Sequence, residues 1–274
     1  MLISKDKLIF LDTNILSDIG RFDEKTIYNL VYEISATLKS LIVVTTFNII
    51  EIERIQDEEI KKRIYKFLDI SNVFFLKGMD EIFAEEITSY ISGKEVEPLK
   101  FICNILKKST DGKPLNFSTV LNNFLSSEEF KQTLQEHNAI NKKQQEHYQN
   151  KLNISEDNFV KILFAEHLKK ALSNFSNSDL TNAAINCPAY IAFAYSLYSK
   201  IGSKGLKQKA GEMNDTAMSY LFPYCGVVVT ERKHAALFNR LKDTGKIPAL
   251  KDTTILKYSD VFVDSSFKLK EVLS

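Results

Sequence analysis

Asp12, Glu51, Asp215 and Glu231 are carboxylates whose places along the chain point to a shared chemistry. Asp12 closes the apolar run LIFL, and Glu51 lies in a helical stretch after a second apolar run. Asp215 begins a helix leading to a late apolar run, and Thr230-Glu231 breaks that run at its end. In a doubly wound sheet, strand ends and the first turns of the following helices converge on one edge. Carboxylates gathered there repel one another unless a cation sits between them. Oxygen donors without His or Cys select hard cations, Mg²⁺ or Mn²⁺. Such ions serve phosphodiester hydrolysis by activating water for in-line attack. Taken alone, Asp12 reads first as a helix cap at a strand end, and the two readings are compatible.

The elements that must position these residues follow from the pattern of apolar residues. The stretch 8–16, LIFLDTNIL, is an uncharged run broken by Asp12, Thr13 and Asn14, the mark of a strand buried on both faces. Ile27, Leu30, Val31, Ile34 and Leu38 share one helical face. Residues 41–45, LIVVT, are apolar and β-branched and predict a second strand. The next helix carries Glu51 among isoleucines, a costly place for a carboxylate unless it is paired, metal-bound or turned to solvent. Ile60, Ile64, Phe67 and Leu68 mark a further helix, and 72–76 (NVFFL) a third strand. The resulting β-α-β-α-α-β order predicts a parallel sheet with right-handed crossovers.

From about residue 79 to 205 the pattern is helical with almost no strand signal, which predicts an all-helical insertion. Its middle, 128–152, is very polar and predicts a protruding helix or hairpin with few buried positions. The α/β pattern then returns. Residues 211–215 open a helix that Pro223 ends, 226–229 (GVVV) form a buried strand, Leu237, Phe238 and Leu241 face inward from a helix, and 253–258 form a last strand. The sheet is therefore expected to be built from both ends of the chain.

Composition narrows the classes. A chain of 274 residues is long enough for one large domain with a sizeable core. The hydrophobic share, 44%, is that of a globular protein, and no apolar stretch reaches membrane-spanning length. The start, MLISKDKLIF, leads straight into a strand with no secretory pattern. Cys103, Cys187 and Cys225 are far apart and odd in number, which predicts reduced thiols and a cytoplasmic setting. A net charge of +1 argues against broad, non-specific coating of nucleic acid but leaves room for a local basic path.

The motifs LDTNIL (11–16), TFNIIE (46–51), Asn214-Asp215 and VVTERK (228–233) together resemble the PIN-domain family of metal-dependent nucleases. The stretch 214–233, NDTAMSYLFPYCGVVVTERK, is similar to a bacterial PIN-like subgroup with a large helical insertion. The resemblance covers the first 76 and the last 65 or so residues, and not the insertion. It implies a single PIN-like domain over 1–274, a three-layer α/β/α sandwich around a central parallel sheet, with the 79–205 insertion within it. It also implies a Mg²⁺- or Mn²⁺-dependent endonuclease, an endoribonuclease by family preference, acting on single-stranded or structured RNA; the family includes toxins and host-defence nucleases. Asp12, Glu51 and Asp215 match the family's acidic metal ligands. Thr13, Asn14 and Asn214 match supporting positions, and Thr230 matches the hydroxyl before the fourth acidic position. That position is usually Asp or Asn and is Glu231 here, one methylene longer. Gly226 stands where the subgroup often has Asp. Glu53 is the second candidate for the position given to Glu51.

Lys204, Lys207 and Lys209 crowd the stretch before Asp215, with Arg232 and Lys233 extending the same path. They read either as a solvated loop or as phosphate anchors beside the acidic site. His137, His147, His167 and His234 have no ligand-like spacing, and Tyr195, Tyr198, Tyr220 and Tyr224 fit helical core faces better than a base-stacking surface. Two other functions compete with the nuclease. One is a catalytically lapsed PIN-like module that binds nucleic acid, or a protein through the insertion. The other is a hydrolase of small phosphoesters.

Overall fold

A computed structural model describes residues 4–71, 73–92, 121–122, 125–128, 130, 154–171, 185–201, 216–263 and 266–273. Five strands form one all-parallel sheet: β1 (Leu8–Leu11), β2 (Leu41–Val44), β3 (Val73–Phe75), β4 (Val227–Thr230) and β5 (Thr254–Lys257), in the order β3-β2-β1-β4-β5. The chain moves outward from β1 to β3 on one side, then returns to lay β4 and β5 on the other. The sheet is thus built from both chain ends.

Side chains alternate across the sheet, and both faces are covered. Ile9, Leu11, Ile42, Val44, Val227 and Val229 pack against α1 (Thr13–Ile19), α2 (Glu24–Tyr32), α3 (Thr46–Glu53) and α4 (Glu58–Ile70). Leu8, Phe10, Val43, Phe74, Val228 and Ile255 pack against α5 (Met79–Ser92), α6 (Glu156–Ala171), α7 (Pro188–Ile201) and α8 (Arg232–Asp243). The fold is a three-layer α/β/α sandwich. Because strands 8–11 and 227–230 bury every side chain, they read in sequence as apolar runs, the second ending at Thr230.

Helices α5, α6 and α7 lie between residues 79 and 205, and they supply much of the layer on one face. A buried carboxylate joins α5 to α7. Glu86 of α5 accepts hydrogen bonds from the backbone N–H groups of Ala189 (2.8 Å) and Tyr190 (3.0 Å) in the first turn of α7, and from the Tyr224 hydroxyl. Arg240 of α8 grips Glu156 of α6 through two nitrogens, at 2.9 and 2.6 Å. Most of the polar stretch 128–152 lies outside the described residues, as does Cys103.

Three local expectations are corrected. The described part of the helix said to end at Pro223 is largely a 3-10 helix, Ser219–Tyr224, with Pro223 inside it. The strand expected over 226–229 is shifted by one residue, so that Thr230 ends it. The last strand stops at Lys257, because Asp260 accepts from the Lys257 backbone N–H at 3.2 Å and turns the chain into the short helix α9, Tyr258–Val261. A small antiparallel hairpin follows, β6 (Phe262–Val263) with β7 (Ser266–Phe267), and then α10 (Leu269–Leu273). Among the described residues, no helix is long and apolar enough to cross a membrane.

Candidate functional site

The strand order reverses beside β1, so the crevice at the carboxyl ends of β1 and β4 is the sheet's switch point, where open α/β sheets bind their ligands. Leu11 pairs with Val229, which sets Asp12 beside Thr230. The Asp12 backbone N–H donates to the Val229 carbonyl at 3.0 Å, extending the ladder by one step. The Thr230 hydroxyl donates to Asp12 Oδ2 at 2.9 Å. Asp12 is the N-cap of α1, its Oδ1 receiving the Asn14 N–H at 3.4 Å, so its cap role and its place at the strand end coexist.

Asp12 is 3% exposed. Burial pushes its carboxyl above the ordinary aspartate range; the bonds from Thr230 and Asn14 oppose the rise, and the charge of Glu231 adds to it. Glu231 follows Thr230 as the N-cap of α8, yet its side chain makes no capping bond. The charge of Glu231 therefore acts on a carboxyl that is buried at an energetic cost, one that a cation would relieve.

A third strand end completes the edge. Thr45 caps α3, and a reciprocal bond to Asn48 closes the cap: the Asn48 side chain accepts from the Thr45 N–H at 3.0 Å. Fully buried Asn48 then donates to the Thr13 hydroxyl at 3.1 Å, tying the first turn of α3 to the first turn of α1. Thr13 thus acts through Asn48, a residue that the sequence analysis did not single out. The signal was the TxxN spacing of a capping box. Glu51 lies one turn beyond Asn48 on the same side of α3 and is half-buried. Glu53 accepts from the Tyr65 hydroxyl and lies 3.8 Å from the Lys61 ammonium, which ties it to α4.

Asp215 and Asn214, and the lysines Lys204, Lys207 and Lys209, lie outside the described residues. Arg232 and Lys233 are exposed in the first turn of α8, beside Glu231. Among the described residues, no group of three or more His, Cys, Asp or Glu side chains is clustered to hold a metal. Asp12 and the Thr230 hydroxyl bonded to it are oxygen donors, the type that hard divalent ions take. Tyr195, Tyr220 and Tyr224 are buried in the core.

Fold and site together define an α/β protein whose open central sheet is all-parallel, with a buried carboxyl at its switch point. No family model, curated protein or solved structure matches the chain.

Proposed function

We propose that the chain is a Mg²⁺- or Mn²⁺-dependent endonuclease acting on phosphodiester bonds, and on RNA by its resemblance to PIN-domain proteins. The observation that carries the reading is Asp12: a buried carboxyl at the switch point, bonded to Thr230, with the like charge of Glu231 acting on it. Folding that leaves a carboxylate in this state sacrifices stability, and active sites are where such sacrifices gather. Asp12, Glu51 and Asp215 would hold the ion, with Glu231 the fourth acidic group of the catalytic set. A bound divalent ion supplies an activated water and neutralises charge on the scissile phosphate.

The chain's own residues have separate tasks. Thr230 and Asn14 fix the Asp12 oxygens, while Thr13 and Asn48 lock the relative position of α1 and α3. Arg232 and Lys233 stand at the positive end of a helix dipole, where cations are disfavoured. Their exposure beside the acidic group fits contact with a phosphate backbone, a task shared with Lys204, Lys207 and Lys209. The same elements fit a lapsed PIN-like binding module, since Glu231 departs from the usual residue at its position. Incubation of the full chain with single-stranded RNA separates the two. A nuclease cuts in Mn²⁺ and stops with chelator, whereas a binding module retains the RNA uncut in both.

A further inference from the structure

A second polar chain reaches the same edge from the opposite layer. His234, in the first turn of α8, has Nε2 3.3 Å from the hydroxyl of Ser196 on α7 and Nδ1 3.7 Å from a carboxylate oxygen of Glu231. The order hydroxyl, imidazole, carboxylate is that of a nucleophilic serine site. Ser196, however, is 1% exposed in mid-helix between buried Tyr195 and Leu197, so no substrate atom reaches its oxygen.

The arrangement is suited instead to holding Glu231. The ring is buried, which disfavours its charged form, and a neutral imidazole carries a single N–H. A carboxylate can only accept, which favours that proton on Nδ1 and leaves Nε2 to accept from the Ser196 hydroxyl. The 3.7 Å separation is just beyond hydrogen-bond reach. Polar contacts at active sites are often long before ligand arrives and tighten when it binds. Glu231 needs such a guide, because its side chain makes no capping bond to the helix that it begins.

We propose that His234, steadied by Ser196, is a positioning residue that aims the Glu231 carboxylate at the Asp12 site. This rests on the metal-site reading above. Outer groups that orient a ligand set typically change metal affinity by about 10- to 100-fold when removed.

Two measurements on the full chain test it: Mn²⁺ titration by calorimetry, and ¹⁵N NMR of the His234 ring, assigned by its loss on substitution. The wild type should show the Nδ1–H tautomer. His234→Ala should weaken Mn²⁺ binding about 10-fold, and His234→Asn, whose amide N–H stands near the place of Nδ1–H, should recover most of it. Glu231→Gln should move the His234 ring signals, which covers the case of a His234→Ala protein that fails to fold. An Nε2–H tautomer, or ring signals indifferent to Glu231→Gln, would overturn the link. Unchanged Mn²⁺ affinity in His234→Ala, with binding lost in Asp12→Asn, would return His234 to packing alone. A wild type that binds no Mn²⁺ at all would overturn the metal reading itself, and this role with it.

Discussion

Thr230 Oγ1 lies 2.9 Å from Asp12 Oδ2, and this bond joins residues 218 positions apart in the chain. It exists because β4 enters the sheet directly beside β1 with Leu11 opposite Val229. The hydroxyl orients a buried carboxylate whose other hydrogen bonds come from the backbone. Thr230→Val keeps the shape of the side chain and deletes the donor. Mn²⁺ affinity measured by calorimetry should fall about 10-fold, and Thr230→Ser should retain it. Equal affinity in all three proteins would show that the bond does not prepare the site.

Gly226 answers a question raised by its neighbours. A Cβ placed there would lie 2.7 Å from Asp6 Cα and 2.8 Å from the Lys5 carbonyl oxygen, both backbone atoms. The glycine cannot retreat easily, since its N–H donates to the Leu8 carbonyl at 2.9 Å and its own carbonyl accepts from Thr254 at 2.8 Å. An aspartate, which the resembling subgroup often carries here, does not fit this turn. Gly226→Ala should cost about 1–3 kcal/mol in urea unfolding. A variant as stable as wild type would mean that the backbone at Lys5 and Asp6 yields freely.

Glu86 gives the fold a pH dependence of definite sign. Burial pushes its carboxyl up to about 7, against the partial opposition of the bonds from Tyr224, Ala189 and Tyr190. The folded chain therefore holds this proton more tightly than the unfolded chain. Its contribution to stability is complete below the ordinary glutamate range and is lost as pH rises through about 7. Glu86→Gln keeps the size and removes the titration. The stability difference between wild type and Glu86→Gln should shift against wild type by up to about 3 kcal/mol between pH ~5 and pH ~8. A difference that stays constant across that range would show that the carboxylate is ionised throughout.

The sequence made the elements legible wherever burial is complete and local. Residues 8–11, 41–44 and 227–229 are apolar along their length, and polar residues mark their ends. Pairing was harder to read. That β4 lies against β1, and so that Thr230 reaches Asp12, depends on contacts between chain ends that no local pattern encodes. Glu86 was not singled out, and His234 was set aside for want of ligand-like spacing, because the partners of each come from other helices. Glu86 falls three residues after Phe83 and four after Ile82, both buried, so its place on the apolar stripe was visible in the spacing. The segment 219–224 misled because its apolar residues suit a helical face, while Pro223 fits a tight 3-10 turn. Asn48 was hidden for the opposite reason: a cap residue gives no hint that its other end spans to Thr13.

The central claim is that Asp12 belongs to a divalent-metal site that cuts phosphodiester bonds. Asp12→Asn preserves the side-chain shape and removes the charge that burial already disfavours, so the apo variant should be at least as stable as wild type. The decisive measurement is the rate of single-stranded RNA cleavage by wild type and Asp12→Asn at saturating Mn²⁺, with a chelator control. Wild type should cut only with the ion present, and the folded variant should be slower by about 100-fold or more, a loss of about 3 kcal/mol in transition-state stabilisation. Cleavage by Asp12→Asn at the wild-type rate, or cleavage that ignores the chelator, would contradict the account.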